Sequence, residues 1–119
     1  MKADNVIAEK SKTFGIRIIR LYQQLEKNFK GFALSRQILR SGTSIGANVR
    51  ESVFAQSTID FVSKLKIALK ETNETEFWLE LLVATDYLTE KEFESIRTDC
   101  IELKKILISI INSSNSDNK

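Results

Sequence analysis

Apolar residues recur every three or four positions along four separate stretches of this chain. In the first, Ile7, Ser11, Phe14, Ile18, Leu21 and Leu25 fall on one side of a helix. In the second, Ile38, Leu39, Gly42, Ile45, Gly46, Val49 and Val53 form one stripe. The third stripe is Phe61, Leu65, Ala68, Thr72, Thr75, Leu79 and Leu82, and the fourth is Phe93, Ile96, Cys100, Leu103, Leu107 and Ile110. Stop and start signals separate them. Asn28-Phe-Lys-Gly31 offers a glycine that can take the left-handed conformation. Ser57-Thr-Ile-Asp60 and Thr89-Glu-Lys-Glu92 each place a hydroxyl three residues before an acid, the pattern of a helix N-terminus. The spacing predicts helices over about 4–28, 33–54, 58–85 and 90–112, then a frayed polar tail over 113–119. Connections this short make successive helices antiparallel neighbours. The expected fold is all-α, an up-down-up-down four-helix bundle in a single domain over 1–119.

Gly42 and Gly46 lie on the apolar stripe of the second helix, so they do not form a phosphate loop. Such a loop needs a preceding strand and a Gly-Lys-Ser/Thr ending. Glycine inside a helix costs about 1 kcal/mol relative to alanine. A close crossing with another helix would offset that cost, and a bulky residue at either position would prevent it. Asn48 and Glu51 flank this seam and are expected to form a buried polar pair that fixes helix register. The stretch Phe77-Trp-Leu-Glu-Leu-Leu-Val83 is apolar nearly all round, and Ile101, Ile106, Ile108 and Ile111 widen the fourth stripe. A helix apolar on more than one side is buried on more than one side, which suggests contact with another subunit.

Composition narrows the chemistry. There is no histidine and one cysteine, so zinc and di-iron bundle sites are not expected, and no metal or cofactor is assigned. Glu71, Glu74, Glu76 and Glu80 divide between two sides of their helix and read as solvated or salt-bridging groups. No nucleophile and base can be assembled, so an enzyme is not expected. Cys100 lies on the core stripe and reads as a small buried residue. A lone cysteine, the lack of an apolar leader and apolar runs far short of the roughly 20 residues of a membrane span fit a cytoplasmic protein without membrane association.

Net charge is only +2, but residues 1–70 carry 13 Lys/Arg against 5 Asp/Glu, whereas residues 71–119 carry 5 against 11. Arg36, Arg40 and Arg50 lie along one side of the second helix, and Arg17 and Arg20 belong to the helix before it. With Lys64 they are the candidate phosphate contacts. Solvated faces and salt bridges between subunits are the competing uses of the same charges.

The segments Gln37-Ile-Leu-Arg-Ser-Gly-Thr-Ser-Ile-Gly-Ala-Asn-Val-Arg-Glu51 and Asp60-Phe-Val-Ser-Lys-Leu-Lys-Ile-Ala-Leu-Lys-Glu-Thr-Asn-Glu-Thr-Glu-Phe-Trp-Leu-Glu-Leu-Leu82 resemble a bacterial four-helix-bundle family. It is often labelled the 23S rRNA intervening-sequence protein, or S23 ribosomal protein, family. The resemblance covers about residues 9–111 and centres on Ser44, Ile45, Ala47, Asn48 and Glu51, with Ala68, Leu69, Glu71 and Glu74. It implies assembly into a homo-oligomeric ring, commonly a pentamer. It also suggests kinship with the accessory variability determinant of diversity-generating retroelements, a basic pentameric bundle that binds nucleic acid and a reverse transcriptase. The family name records a location within rRNA genes and not an activity. Two functions stay open: a non-catalytic oligomer that binds RNA or DNA through its basic surface, or a structural adaptor whose ligand is a protein.

Overall fold

The computed structural model describes the backbone of residues 2–117 and the side chains of residues 6–114. Four helices follow one another: α1 (Lys2–Asn28), α2 (Ala33–Val53), α3 (Thr58–Ala84) and α4 (Glu90–Asp117). Each packs against its neighbour in sequence, and α4 closes the bundle against α1, giving a rod of 49 × 22 × 19 Å.

The core is built from the apolar stripes. Ile7, Phe14, Ile18, Leu21 and Leu25 of α1 are buried with Ile38, Ile45 and Val49 of α2, Leu65, Ala68, Leu79 and Leu82 of α3, and Phe93 to Ile111 positions of α4. Fully burying one such Leu or Ile contributes about 1.5–3 kcal/mol. Cys100 is among these core residues, with no exposed surface. Not every stripe residue is buried: Val53 ends its helix exposed.

The helix ends follow their local chemistry. Gly31 takes φ 78° after α1, where a side chain would be strained. Ser57 accepts from the Asp60 N–H at 3.0 Å and starts α3. At α4, Thr89 Oγ1 accepts from Glu92 N–H while Glu92 accepts from Thr89 N–H, at 3.1 and 2.9 Å. Tyr87 then clasps two loops at this end, stacked on Phe32 and edge-on to Phe29.

One boundary differs from expectation. The polar segment from Ser113 continues α4 as far as Asp117, and the remainder of the expected tail lies outside the described residues. Polar residues lower helix propensity by only tenths of a kcal/mol each, and no glycine or proline stands there to end the helix.

Candidate functional site

The glycine seam sets how closely α1 and α2 approach. A Cβ placed on Gly42 would lie 2.7 Å from both γ-carbons of Ile18, which is fully buried. A Cβ on Gly46 would lie 3.4 Å from the Ser11 carbonyl oxygen, an ordinary contact. The two glycines are therefore not equivalent. Only Gly42 is demanded by close packing within the chain.

Asn48 and Glu51 do not form the buried pair expected of them. Asn48 is half-buried and donates back to the Ser44 carbonyl at 2.9 Å, while Glu51 is exposed. Their spacing puts them on one side of α2, but that side turns towards solvent before Glu51 is reached. A buried polar link is made instead on the other side of α2, where Thr75 of α3 bonds Ser41.

Much of the charge asymmetry between the two halves is used inside the bundle. Arg17 of α1 binds Asp99 of α4 at 2.8 Å and donates to Ser95 Oγ, while Lys10 binds Glu102. Arg40 of α2 reaches α3, pairing with Glu71 at 3.3 Å and with Glu74. Glu76 of α3 is buried between Arg97 and Lys104 of α4. Burial raises the Glu71 carboxyl, Arg40 opposes that rise, and the nearby Glu74 charge adds to it. Glu74 in turn holds the Arg40 guanidinium more firmly protonated than usual.

This placement corrects the expected arginine stripe. Arg40 faces carboxylates and is not free for phosphate, and Arg17 is likewise engaged. Arg36 and Arg50 are exposed with no carboxylate partner among the described residues. Arg20 has one hydrogen-bond partner among the described residues, Gln23 at 3.3 Å, and Lys64 is half-buried on α3. Periodicity gives a residue's direction on its own helix. It does not say which neighbouring helix an arginine arm can reach.

Two clefts gather cations at their edges. Between α1 and α4, a cleft of about 380 Å³ brings Arg17 and Arg20 beside Lys91, with Gln24, Glu92 and Ser95 on its walls. Lys91 escaped sequence reasoning because it lies in the acidic half of the chain. The signal that could have found it is the Thr89–Glu92 box, which starts α4, combined with antiparallel packing of α4 on α1. The register that sets Ile18 against Gly42 also puts Arg36 at the level of the α1 turn after Arg20. The second cleft, about 680 Å³, runs between α1 and α2. Gly15, Gly46 and the exposed Ile16, Ile19, Val53 and Phe54 line it, together with Lys12, Arg50 and Glu51.

Among the described residues, no group of three or more metal-ligating side chains converges. None of the helices is long and apolar enough to cross a membrane. The Cys100 thiol is pushed up to about 12, first by burial and then by the Glu76 charge, and its sulfur lies 3.5 Å from the Thr72 carbonyl oxygen.

The model of a family described as 23S rRNA-intervening sequence protein matches residues 3–109. A crystal structure from Bacteroides thetaiotaomicron VPI-5482, described as a protein with unknown function from the S23 ribosomal protein family, is similar over 92% of this chain and 98% of its own. The two share 57% sequence identity with a TM-score of 0.90. No curated protein matches the chain.

Proposed function

The chain belongs to the 23S rRNA-intervening sequence protein family, and from that premise we propose that it works without catalysis, as a homo-oligomer that holds RNA or DNA by its phosphates. The observation that carries this reading is the α1/α4 cleft. There Arg20 and Lys91, neither with an ion-pair partner among the described residues, lie beside Arg17, which Asp99 holds. Guanidinium groups at such a surface suit phosphate oxygens, and binding would release counterions. Self-association is supported by the exposed apolar side chains, Phe54, Ile59 and Phe77 foremost. A pentameric ring is the form the family resemblance suggests. A cytoplasmic setting suits a chain whose single thiol is buried.

The test is equilibrium binding of unstructured RNA and duplex DNA over a salt series. Affinity should fall steeply with salt. Arg20→Gln, Arg36→Gln and Lys91→Gln together should weaken binding about equally for all sequences and flatten the salt slope. No binding by the parent at low salt would overturn the reading.

A second reading, an adaptor assembly that binds a protein, draws on a specific observation: Arg17, Arg40 and Lys10 already spend their charge on α3 and α4. Capture of the same protein partner after nuclease treatment, without any nucleic-acid binding, would favour it.

A further inference from the structure

We infer that the α1/α4 cleft holds one unpaired nucleotide, its phosphate on Arg20 and Lys91 and the amine edge of its base on Glu92, so that single strands are held over duplexes and cytidine over uridine. The inference rests on the phosphate binding proposed above and names the form of nucleic acid.

Two polar bridges bound the cleft along its length. Near one end Gln24 Nε2 donates to Glu92 Oε2 at 3.4 Å. Near the other, Arg17 donates to Ser95 Oγ at 2.6 Å and to Asp99 at 2.8 Å. Gln24 and Arg17 stand two turns apart on α1, which leaves a window of about 10 Å between the bridges. The cleft volume is about 380 Å³. A single base splayed out of its stack enters an opening of this size, and a stacked base pair does not.

The side chains that line the cleft are sorted by depth. Leu21, Leu88 and Ile96 each keep less than a tenth of their surface exposed. Arg20 and Lys91 are exposed, with no ion-pair partner among the described residues. An apolar interior takes a base by its faces, and cations at the mouth take the phosphate beside it. Binding by the backbone alone leaves the apolar interior empty.

Glu92 supplies the edge contact. One carboxylate oxygen accepts from the Thr89 N–H at 2.9 Å and the other from Gln24, which fixes the group across the cleft. The Thr89 backbone N–H first, then the Thr89 hydroxyl, hold the carboxyl below its ordinary value, so at neutral pH it only accepts. A carboxylate repels phosphate and pairs with the N4 amine of cytosine. Uracil presents an acceptor at that position and is refused. Glu92 thereby sets the direction of the nucleotide, base inward and phosphate to the cations.

The experiment measures equilibrium binding of three RNAs of equal length at neutral pH and one low salt concentration: a cytidine oligomer, a uridine oligomer and a duplex. The parent should bind the cytidine oligomer about fivefold tighter than the uridine oligomer, the lower end for one base-edge contact. It should also prefer the cytidine oligomer to the duplex, although the duplex carries the denser charge. Glu92→Gln keeps the pattern that starts α4, where glutamine serves as well, and thermal melting checks its fold. Its amide meets either base edge, so the cytidine-to-uridine ratio should fall to near one. The ratio is the readout, because loss of a negative charge strengthens binding of every oligomer and a merely structural defect weakens every one. Arg20→Gln with Lys91→Gln should weaken both oligomers and keep the ratio. A parent that binds none of the three RNAs would overturn the phosphate reading and this inference with it. A duplex bound as tightly as the cytidine oligomer, equal affinity for the two oligomers, or a ratio that Glu92→Gln leaves unchanged would overturn the inference alone.

Discussion

Thr75 stands opposite Ser41 inside the α2/α3 seam, its hydroxyl oxygen 2.8 Å from that of the serine, and both residues are fully buried. The Thr75 proton has a second acceptor at 2.8 Å, the Glu71 carbonyl, so the pair is tied to the backbone as well as across the helices. Thr75→Val keeps the volume but strands Ser41, whose next contact is the Ile38 carbonyl at 3.5 Å. The expected cost is about 1–3 kcal/mol, the penalty for a buried unsatisfied group. Ser41→Ala combined with Thr75→Val should cost less than the sum of the single changes. Urea unfolding of the three variants measures this coupling.

The two seam glycines should respond in opposite ways. Gly42→Ala drives a methyl group against Ile18 and should destabilise the bundle by about 1–3 kcal/mol. Gly46→Ala meets only ordinary contacts and gains helix propensity, so its melting temperature should match or exceed that of the parent. Equal losses at both positions would mean that α1 lies nearer Gly46 than described.

Arg40 differs from the other arginines of α2 in having partners. Arg36→Gln and Arg50→Gln should leave thermal stability unchanged within error. Arg40→Gln should lower it by up to about 1 kcal/mol, the usual ceiling for an exposed pair, because Glu71 and Glu74 are left facing each other. Burial already raises the Glu71 carboxyl, and losing Arg40 raises it further. A raised carboxylate costs stability as pH rises through its folded pKa. The deficit of Arg40→Gln should therefore be largest near neutrality and shrink on acidification, as thermal melts across pH would show.

The box at the start of α4 gives the opposite pH dependence. The Thr89 backbone N–H holds the Glu92 carboxyl below its ordinary 4.5, and the Thr89 hydroxyl lowers it further. A lowered carboxylate contributes stability that is present above its unfolded pKa and is lost as pH falls through the folded one. Thr89→Ala should cost about 1 kcal/mol at neutral pH. It should also be less sensitive than the parent to acidification below 4.5, measured by urea midpoints at each pH.

The parts that sequence made legible were those decided within one helix. The core stripes, the Ser57 and Thr89 starts, the left-handed Gly31 and the placing of Gly42 on an apolar face all depend on local spacing. What sequence did not reveal depends on neighbours. Arg40 sits on the outward side of α2, yet its long arm bends to α3. Lys91 joins Arg20 only because α4 packs back along α1. Asn48 and Glu51 read as a pair by spacing, although the protein surface passes between them. Helix periodicity fixes angle and height on a cylinder, and salt bridges and clefts arise between cylinders.

The burial of Cys100 makes this thiol a native clock. Its sulfur is sealed in the core and its proton is held up to about 12, so a thiol reagent in neutral buffer has neither access nor a reactive thiolate. Modification must wait until α4 separates from α3. With reagent in excess, the labelling rate becomes the opening rate of the bundle, read from the unaltered chain without any introduced probe. Any assembly that clamps α3 and α4 together slows that clock, and the slowing measures how far neighbouring copies hold one another shut.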